Sequence, residues 1–423
     1  MIKRRHSAHV SALTFLFAAF LITNLHAAEH FVNKQGSNAN NGASRETAFL
    51  TIQKGVDALQ PGDTLSIGPG EYFENVQRAD LGSMEADTVI RAEIPGTAIL
   101  HGDVPAPKFE KVEKYRFVYG AKFDQEPQAV LEHDSLLVIH RAADASELEF
   151  NPGHFSYDAE AKMLYISRAD LLSPENRYYT VAVNRSNGLE LNSPRRVVIE
   201  GLAVRGFVAQ HAPPGYGIWL KGPVSCVVRD CICYMNVRGI VLQPTVNRGG
   251  GESGADNLIE NCVGYGNSPG AICLYSANNV VVRNCHTYKN VRGSGENFGV
   301  MHYLWMKGPV LFENNISWGQ NFNFSIKPSG NGTLKNCVAL GYIRNAPQKM
   351  VHNLVGGGNE FDRGSNAPRD NILMGRERNL DKDFEFADPL NLDYRLQPDS
   401  RFRGAAPDGS DRGPYQYKPN VFY

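Results

Sequence analysis

One short phrase is repeated five times between residues 226 and 340, at unequal spacing. Each copy has two adjacent residues, mostly apolar, then a charged residue, an Asp or Asn and usually a Cys, at 227–231, 258–262, 281–285, 311–315 and 333–337. The Asp or Asn positions are 230, 261, 284, 314 and 336, so the intervals are 31, 23, 30 and 22 residues. A period near 22 with insertions of eight or nine is typical of a solenoid whose coils keep a fixed core and vary one loop.

A second phrase lies between these copies, at 217–221, 239–243 and 271–275, with looser versions at 303–307 and 323–327. Its alternation of apolar and polar residues predicts a strand with one buried face. The runs are short, β-branched and interrupted by Gly and Asn, which disfavours helices. Short strands, tight Asp or Asn corners and one variable loop per turn indicate a parallel β-helix.

On these repeats the chain resembles the right-handed β-helix family of secreted carbohydrate-active proteins, which includes pectate, alginate and chondroitin lyases and the polygalacturonases. The likeness covers roughly residues 31 to 415 and implies an all-β, right-handed parallel β-helix. The start of the chain also resembles that family, with a glycine-containing loop, a short helix within 51–59 and a Pro61-Gly62-Asp63 turn. We expect this helix to cap the open end of the core.

Residues 1–28 are typical of a secretory signal peptide, with Lys3, Arg4 and Arg5 before an apolar run and a cleavage position near Ala27 or Ala28. The run of about 11 residues is too short to span a bilayer. No later segment predicts a membrane span, so we expect a periplasmic or extracellular protein. Residues 29–423 then form one domain: a cap with first coils at 29–105, a β-rich insertion at 106–185, main coils at 186–380 and a closing segment at 381–423.

The composition argues against a dedicated nucleic-acid binder, because 43 Lys and Arg stand against 44 Asp and Glu. We expect a monomer. Four of the seven cysteines, Cys231, Cys262, Cys285 and Cys337, recur at one repeat position. We interpret them as free, buried thiols in a ladder, and disulfide pairing is the alternative.

Two columns of outward residues are expected along the second phrase. One contains Glu190, Trp219, Val241, Cys273, Trp305 and Ser325, and the other contains Asn192, Lys221, Gln243, Tyr275, Lys307 and Lys327. Aromatic rings pack against sugar faces and cations bind uronate carboxylates, so this stripe predicts an anionic polysaccharide as partner. The alternative is that the tryptophans pack under loops and the lysines are solvated. The predicted substrate-binding residues are Trp219, Lys221, Gln243, Tyr275, Trp305, Arg238 and His211.

A polysaccharide lyase removes the proton next to a uronate carboxylate while that carboxylate is neutralised. The strand 324–327, followed by Asn331 and Gly332, resembles the lysine-bearing strand of one pectate lyase family, which implies Lys327 as the base. The other predicted catalytic residues are Lys307, His302, Arg292 and Glu296.

Relatives with that lysine strand carry an Asp cluster for Ca²⁺, whereas the corresponding strands here carry Gln243 and Tyr275. Calcium therefore stays an open alternative for which the expected Asp cluster is absent, and in a calcium-free mechanism neutralisation by Arg292, Arg238 or Lys307 would replace it. No other cofactor is expected.

Two alternatives stay open. A glycoside hydrolase needs two carboxylates across the scissile bond, and no pair among Glu190, Glu252, Asp256 and Glu296 occupies adjacent coils of the stripe. Glu296 is its best acid. A non-catalytic glycan-binding protein needs only the stripe.

Two features favour a structural role. His286 follows a ladder cysteine and is interpreted as a buried strand residue. Arg229, Glu260, Arg283, Glu313 and Lys335 alternate in charge down one column, which predicts an ion-pair ladder.

Overall fold

The computed structural model describes residues 27–184, 186–209, 215–245, 254–275, 277–290, 298–302, 308–326, 332–344, 349–351, 353–356, 372–374, 385–388, 393–405 and 409. Its regular structure is nearly all β-strand. The helical elements are the α-helices Ile52–Ala58 and Glu147–Phe150 and the 3₁₀ turn Pro174–Asn176. Among the described residues, no helix combines the length and apolar character needed to cross a membrane.

The first face of the solenoid is a ten-stranded sheet in which every strand pairs in parallel with its neighbour. The first phrase of the sequence supplies its later strands. In spatial order the strands are Glu29–Val32, Thr64–Ile67, Thr88–Ala92, Val197–Glu200, Val227–Arg229, Leu258–Glu260, Val280–Arg283, Val310–Glu313, Gly332–Lys335 and Lys349–Val351.

The second and third faces belong to one parallel sheet joined through the long strand Ile316–Ile326. The second face contains Gly70–Tyr72, Ala98–His101, Ala203–Arg205, Ile232–Tyr234, Val263–Tyr265 and His286–Tyr288. The third face contains Val76–Ala79, Leu189–Asn192, Tyr216–Lys221, Arg238–Gln243, Gly270–Leu274 and Phe298–His302. Val338–Arg344, Leu354–Gly356 and Ile372–Met374 extend this sheet.

One continuous core runs through all three faces. The inward columns of the third face include Ile218, Ile240 and Ile272, each at most 1% exposed, and they join Val228 and Val282 of the first face in a single cluster. Because consecutive coils stack in parallel register, each coil buries the apolar face of its neighbours. The predicted right-handed parallel β-helix is confirmed.

The corners after the first face are fixed by Asp or Asn in the left-handed backbone region. Asp230, Asn261, Asn284, Asn314 and Asn336 have φ between 51° and 55°. Asn and Asp adopt this region at lower cost than other residues with a side chain. The repeated Asp or Asn of the first phrase is therefore a backbone requirement.

Buried asparagines stack at another corner, between the second and third faces. The Oδ1 of Asn267 accepts a hydrogen bond from the backbone N–H of Asn236 at 3.1 Å. In the next coil the Oδ1 of Asn290 accepts in the same way from the backbone N–H of Asn267 at 3.0 Å. The side-chain amides donate to carbonyls of the preceding coil, for example Asn267 Nδ2 to Cys233 O at 2.9 Å. These contacts satisfy corner amides that no strand can reach.

The cysteine ladder is confirmed. All seven cysteines are buried free thiols. In the fourth copy Asn315 takes the ladder position, and its backbone N–H lies 3.4 Å from Cys337 Sγ. Burial raises the pKa of Cys337 to about 12 and that of Cys273 to about 11, so these thiols stay protonated near neutrality.

The helix Ile52–Ala58 lies where the sequence predicts it. The Thr51 side chain accepts a hydrogen bond from the backbone N–H of Lys54, which caps the helix start. Ile52, Val56 and Leu59 belong to the solenoid core cluster. That this helix caps the open end of the core stays a prediction.

An eight-stranded sheet is formed by the segment that lies in the sequence between the early and the later coils, whose strands pair directly with one another. Its strands, in spatial order, are Asp103–Pro105, Tyr179–Ala182, Ala129–Glu132, Leu137–Arg141, His154–Asp158, Met163–Ile166, Tyr119–Lys122 and Glu110–Lys111. Phe155-Ser156-Tyr157 and Met163–Ile166 flank a polar segment, which by itself predicts a hairpin, and the antiparallel pairing of Phe155 with Ile166 confirms it. The predicted domain boundaries, including 106–185 for the insertion, stay a proposal.

Three smaller features complete the described chain. Short strand pairs form between Gly254–Ala255 and Ala277–Asn278 in parallel, and between Phe386–Asp388 and Asp393–Leu396 in antiparallel. The ion-pair ladder on the first face is confirmed, with Arg283 at 2.6 Å from Glu260 and Lys335 at 2.8 Å from Glu313.

Candidate binding groove and the insertion seam

The first column predicted along the third face keeps its predicted register over most of its length, but it is not exposed as the sequence predicted: Val241 and Cys273 are fully buried and pack with Tyr216 and Trp219 in a cluster outside the main core. Glu190 pairs with Trp219, Trp219 with Val241 and Val241 with Cys273. The next position is occupied by Met301, not by Trp305 as the sequence predicted, and Ser325 follows Met301. The strand is Phe298–His302, so the looser phrase at 303–307 was aligned wrongly. The spacing between copies of the phrase is unequal in the sequence, and the phrase alone cannot fix the register.

Much of the predicted catalytic set lies outside the described residues. Arg292, Glu296, Lys307 and Lys327 are in this group, as are the predicted binding residues His211 and Trp305. The backbone of His302 is described, and its register partner is Leu274, which occupies a core column. Lys327 directly follows Ile326, the last residue of the strand Ile316–Ile326.

Trp219 does not offer an open ring face to a ligand. It is 8% exposed, and the Lys221 Nζ lies 3.7 Å from its ring centroid. Its indole N–H donates to Gln243 Oε1 at 3.1 Å. Lys221 in turn lies 2.5 Å from Glu190 Oε1, and Glu190 also accepts from Asn187 at 2.9 Å. This end of the stripe is a closed network in which the Lys221 charge is already compensated.

Arg238 has different surroundings. Its guanidinium carbon lies 5.3 Å from the Tyr216 ring centroid and 5.4 Å from that of Tyr275. Its Nη1 donates to the Tyr216 hydroxyl at 2.8 Å, whereas its Nε is buried without a hydrogen bond. Within the described part of the chain, no carboxylate lies within ion-pair distance of Arg238. Two aromatic rings thus hold a cation that lacks a counter-ion in this part of the protein.

The donor set does not fit a calcium site. The Oε1 of Gln243 is engaged by Trp219, and Lys221 places a positive charge in the same column. Among the residues that the structure describes, no group of three or more His, Cys, Asp or Glu is arranged to hold a metal ion. Ca²⁺ prefers several carboxylate or carbonyl oxygens.

A charge cluster made of His101, Asp103, His133 and Arg205 joins the insertion to the second face, and we call it the seam. Sequence reasoning missed it. Asp103 is 1% exposed, and its Oδ2 accepts from Arg205 Nη2 at 2.7 Å. His101 Nδ1 lies 3.1 Å from Asp103 Oδ1, and His133 Nε2 lies 2.8 Å from the Thr180 hydroxyl. Asp103 and Arg205 are far apart in the sequence, and no local motif connects them.

Burial alone would raise the pKa of Asp103, but the hydrogen bonds from His101 and Arg205 and the Arg205 charge hold that pKa well below its usual range. Burial and the nearby Arg205 charge lower the pKa of His133 to about 4. At neutral pH the seam therefore contains an ionised Asp103, a charged Arg205 and a neutral His133.

Stacked aromatic side chains run along the second face. An aromatic residue follows three positions after the Cys position in the first four copies of the first phrase, and the successive ring centroids of Tyr234, Tyr265, Tyr288 and Trp318 lie 4.9, 5.0 and 5.2 Å apart. Arg205 extends the stack at 5.6 Å from the Tyr234 ring. Because successive rings stack face to face, this column stabilises the stacking of the coils.

His286 is a buried strand residue, as interpreted from the sequence. It is fully buried, and Trp318 Nε1 donates to its Nε2 at 2.8 Å. Burial lowers its pKa to about 3.

No family model and no curated protein matches this sequence. Solved structures do resemble it. One is described as the complex structure of XylC with xylose, with 13% identity and a TM-score of 0.50, covering 78% of this chain and 69% of that chain. Another, described as a glycoside hydrolase, has 9% identity and a TM-score of 0.50, covering 79% of this chain and 92% of that chain.

A structure described as pectate lyase Pel9A has 11% identity and a TM-score of 0.47, covering 93% of this chain and 98% of that chain. At the 13% and 9% identity of the first two matches, the likeness shows only that the backbones follow a similar path. Together with the stacked parallel sheets, those two matches identify the chain by fold alone, as a parallel β-helix.

Proposed function

We propose that this protein is a secreted enzyme that cleaves an anionic, uronate-containing polysaccharide by β-elimination in a groove along the third face. The observation that carries the proposal is the guanidinium of Arg238, held between Tyr216 and Tyr275 without a carboxylate partner in the described part of the chain. Secretion rests on the predicted signal peptide at residues 1–28.

A partly buried cation without a counter-ion is costly, since removing charge from water is not offset. A substrate carboxylate would offset that cost, because guanidinium binds carboxylate through two parallel hydrogen bonds. Lys221 is less suited to this role because Glu190 already neutralises it. Arg238 is therefore the described cation best suited to bind the uronate.

Neutralising the carboxylate acidifies the adjacent C–H and lowers the barrier to proton removal. A base takes that proton, the electron pair forms the C=C bond, and the bond to the leaving glycosidic oxygen breaks, with a proton completing the new hydroxyl. Lys327 is our candidate base, from its position directly after the strand Ile316–Ile326.

Arg238→Ala should lower turnover about 100-fold or more, a loss comparable to removing one transition-state donor, and Arg238→Lys should restore part of it. The assay follows the ultraviolet absorbance of unsaturated products from polygalacturonate, alginate and hyaluronan. Circular dichroism and thermal melting check that each variant folds. Unchanged turnover by Arg238→Ala would contradict the role of this residue.

The same panel separates the alternative functions. New reducing ends without ultraviolet-absorbing products would indicate a glycoside hydrolase, with Glu296 as its best acid. Retention of a polymer without either signal would indicate a glycan-binding protein.

Lys327→Ala should abolish elimination while leaving the thermal midpoint near that of the wild type, because it removes the proposed base. Lys335→Ala is the matched control, since Lys335 pairs with Glu313 on the first face. Retained turnover in Lys327→Ala would exclude Lys327 as the base.

A further inference from the structure

A cavity of about 320 Å³ lies within the insertion, away from the strands of the third face. One wall is the segment after the strand Asp103–Pro105, including Pro107, Lys108 and Phe109. The opposite wall contains Pro174, Arg177 and Tyr178. The backbone N–H of Ala106 donates to Tyr179 O at 3.1 Å and Thr180 pairs with Pro105, so the two walls are joined at their base.

The cavity has aromatic walls that are held in place. Tyr178 is 52% exposed, and its ring centroid lies 4.7 Å from that of His133. The backbone N–H of Tyr178 donates to Asp134 Oδ2 at 2.8 Å. Phe109 packs edge-on against Tyr179 with centroids 5.9 Å apart. A ligand would therefore meet ordered rings with little loss of side-chain entropy.

The position of Tyr178 depends on the buried charge cluster of the seam. His133 contacts Thr180 at 2.8 Å and lies 3.5 Å from Arg205 Nη2, and Arg205 is held by Asp103. The wall of the cavity is thus fixed by contacts that also attach the insertion to the solenoid.

The charge of the lining favours an anion. Lys108 and Arg177 are exposed and make no side-chain hydrogen bond to any residue that the structure describes. Arg177 forms a long ion pair with Glu132 at 4.0 Å, and Glu132 also accepts from the hydroxyls of Ser135 at 2.8 Å and Tyr179 at 3.0 Å, whereas Lys108 has no ion pair with any described residue. Glu175 is the acidic residue of the lining, against two cations.

We propose that this cavity is a second glycan-binding site, which takes one or two uronate units of an acidic polysaccharide and is separate from the groove of the third face. The inference rests on the proposed function for the class of glycan. The volume is near the lower end for small-molecule sites. Exposed aromatic surface suits the C–H face of a sugar ring, and Lys108 with Arg177 suits its carboxylate.

The test uses full-length protein carrying Arg238→Ala, which disables the groove. Affinity electrophoresis through gels containing polygalacturonate, alginate or hyaluronan measures retention, and dextran is the uncharged control. Adding Tyr178→Ala, or Lys108→Ser with Arg177→Ser, should weaken retention about tenfold, and salt should weaken it further. Phe150→Ala and Lys162→Ser change an exposed aromatic and an exposed cation elsewhere in the insertion, and they should not alter retention.

Equal retention with and without the cavity substitutions would overturn the inference, as would absence of retention by all three uronate polymers. Thermal melting checks that the cavity variants stay folded. Turnover of each variant is measured in parallel, so that failure of the proposed lyase site can be told apart from failure of the second binding site. If Arg238→Ala cleaves normally but Tyr178→Ala loses retention, the proposed lyase site fails and the second binding site stands.

Discussion

At the residue scale, the contrast between paired and unpaired cations carries most of the functional argument. Lys221 has Glu190, and Arg205 has Asp103, whereas Arg238 has two aromatic rings and no carboxylate in the described residues. A paired cation contributes to the fold, and its charge is not available to a ligand. Arg238 is therefore the residue at which the chemistry of a uronate substrate can be tested most directly.

Arg205→Ala should destabilise the protein by about 3–5 kcal/mol, because it leaves the Asp103 carboxylate buried and unpaired. Urea unfolding followed by circular dichroism measures the change. Lys162→Ala serves as the control, since its ion pair with Asp124 is exposed and such pairs contribute little. A loss no larger than that of the control would show that the Asp103 pair does not stabilise the seam.

At the element scale, each coil turns after the first face through a residue with positive φ. The sequence repeats Asp or Asn at these corners because a left-handed backbone is required there, and the structure gives Asn284 a φ of 53°. The same element also shows the limit of the repeat. The strand in this coil is Phe298–His302 and not the phrase at 303–307, so Met301 lies next to Cys273 in place of Trp305.

Asn284→Val should lower the free energy of unfolding by about 1–2 kcal/mol, because a β-branched residue is strained at positive φ. Asn284→Gly should cost less, since glycine adopts this backbone region freely. Denaturant unfolding of both variants gives the comparison. Equal stability of the two would contradict the backbone explanation for the repeated corner residue.

At the scale of the whole molecule, stability should depend on pH through two histidines, the fully buried His286 and the partly buried His133. Burial lowers the pKa of His133 to about 4 and that of His286 to about 3, against about 6.5 in the unfolded chain. The unfolded chain then binds more protons, so stability is complete above pH 6.5 and falls as the pH drops towards 4. Each pKa unit corresponds to about 1.4 kcal/mol, as an upper limit.

Thermal midpoints between pH 7 and pH 4 measure this dependence. His133→Gln should make the curve shallower, because one of the two groups is removed. A curve as steep as that of the wild type would exclude His133 as a contributor.

The sequence by itself determined the solenoid, its Asp or Asn corners, the cysteine ladder and the register of most of the first column on the third face, because these features repeat with the coil and are set by local backbone and burial requirements. The tertiary structure alone decided three further features: the pairing of Asp103 with Arg205 across the seam, the enclosure of Arg238 by Tyr216 and Tyr275, and the cavity between residues 106–109 and 174–179. Each depends on side chains from different coils or from distant parts of the insertion, and no repeat in the sequence specifies how those elements meet.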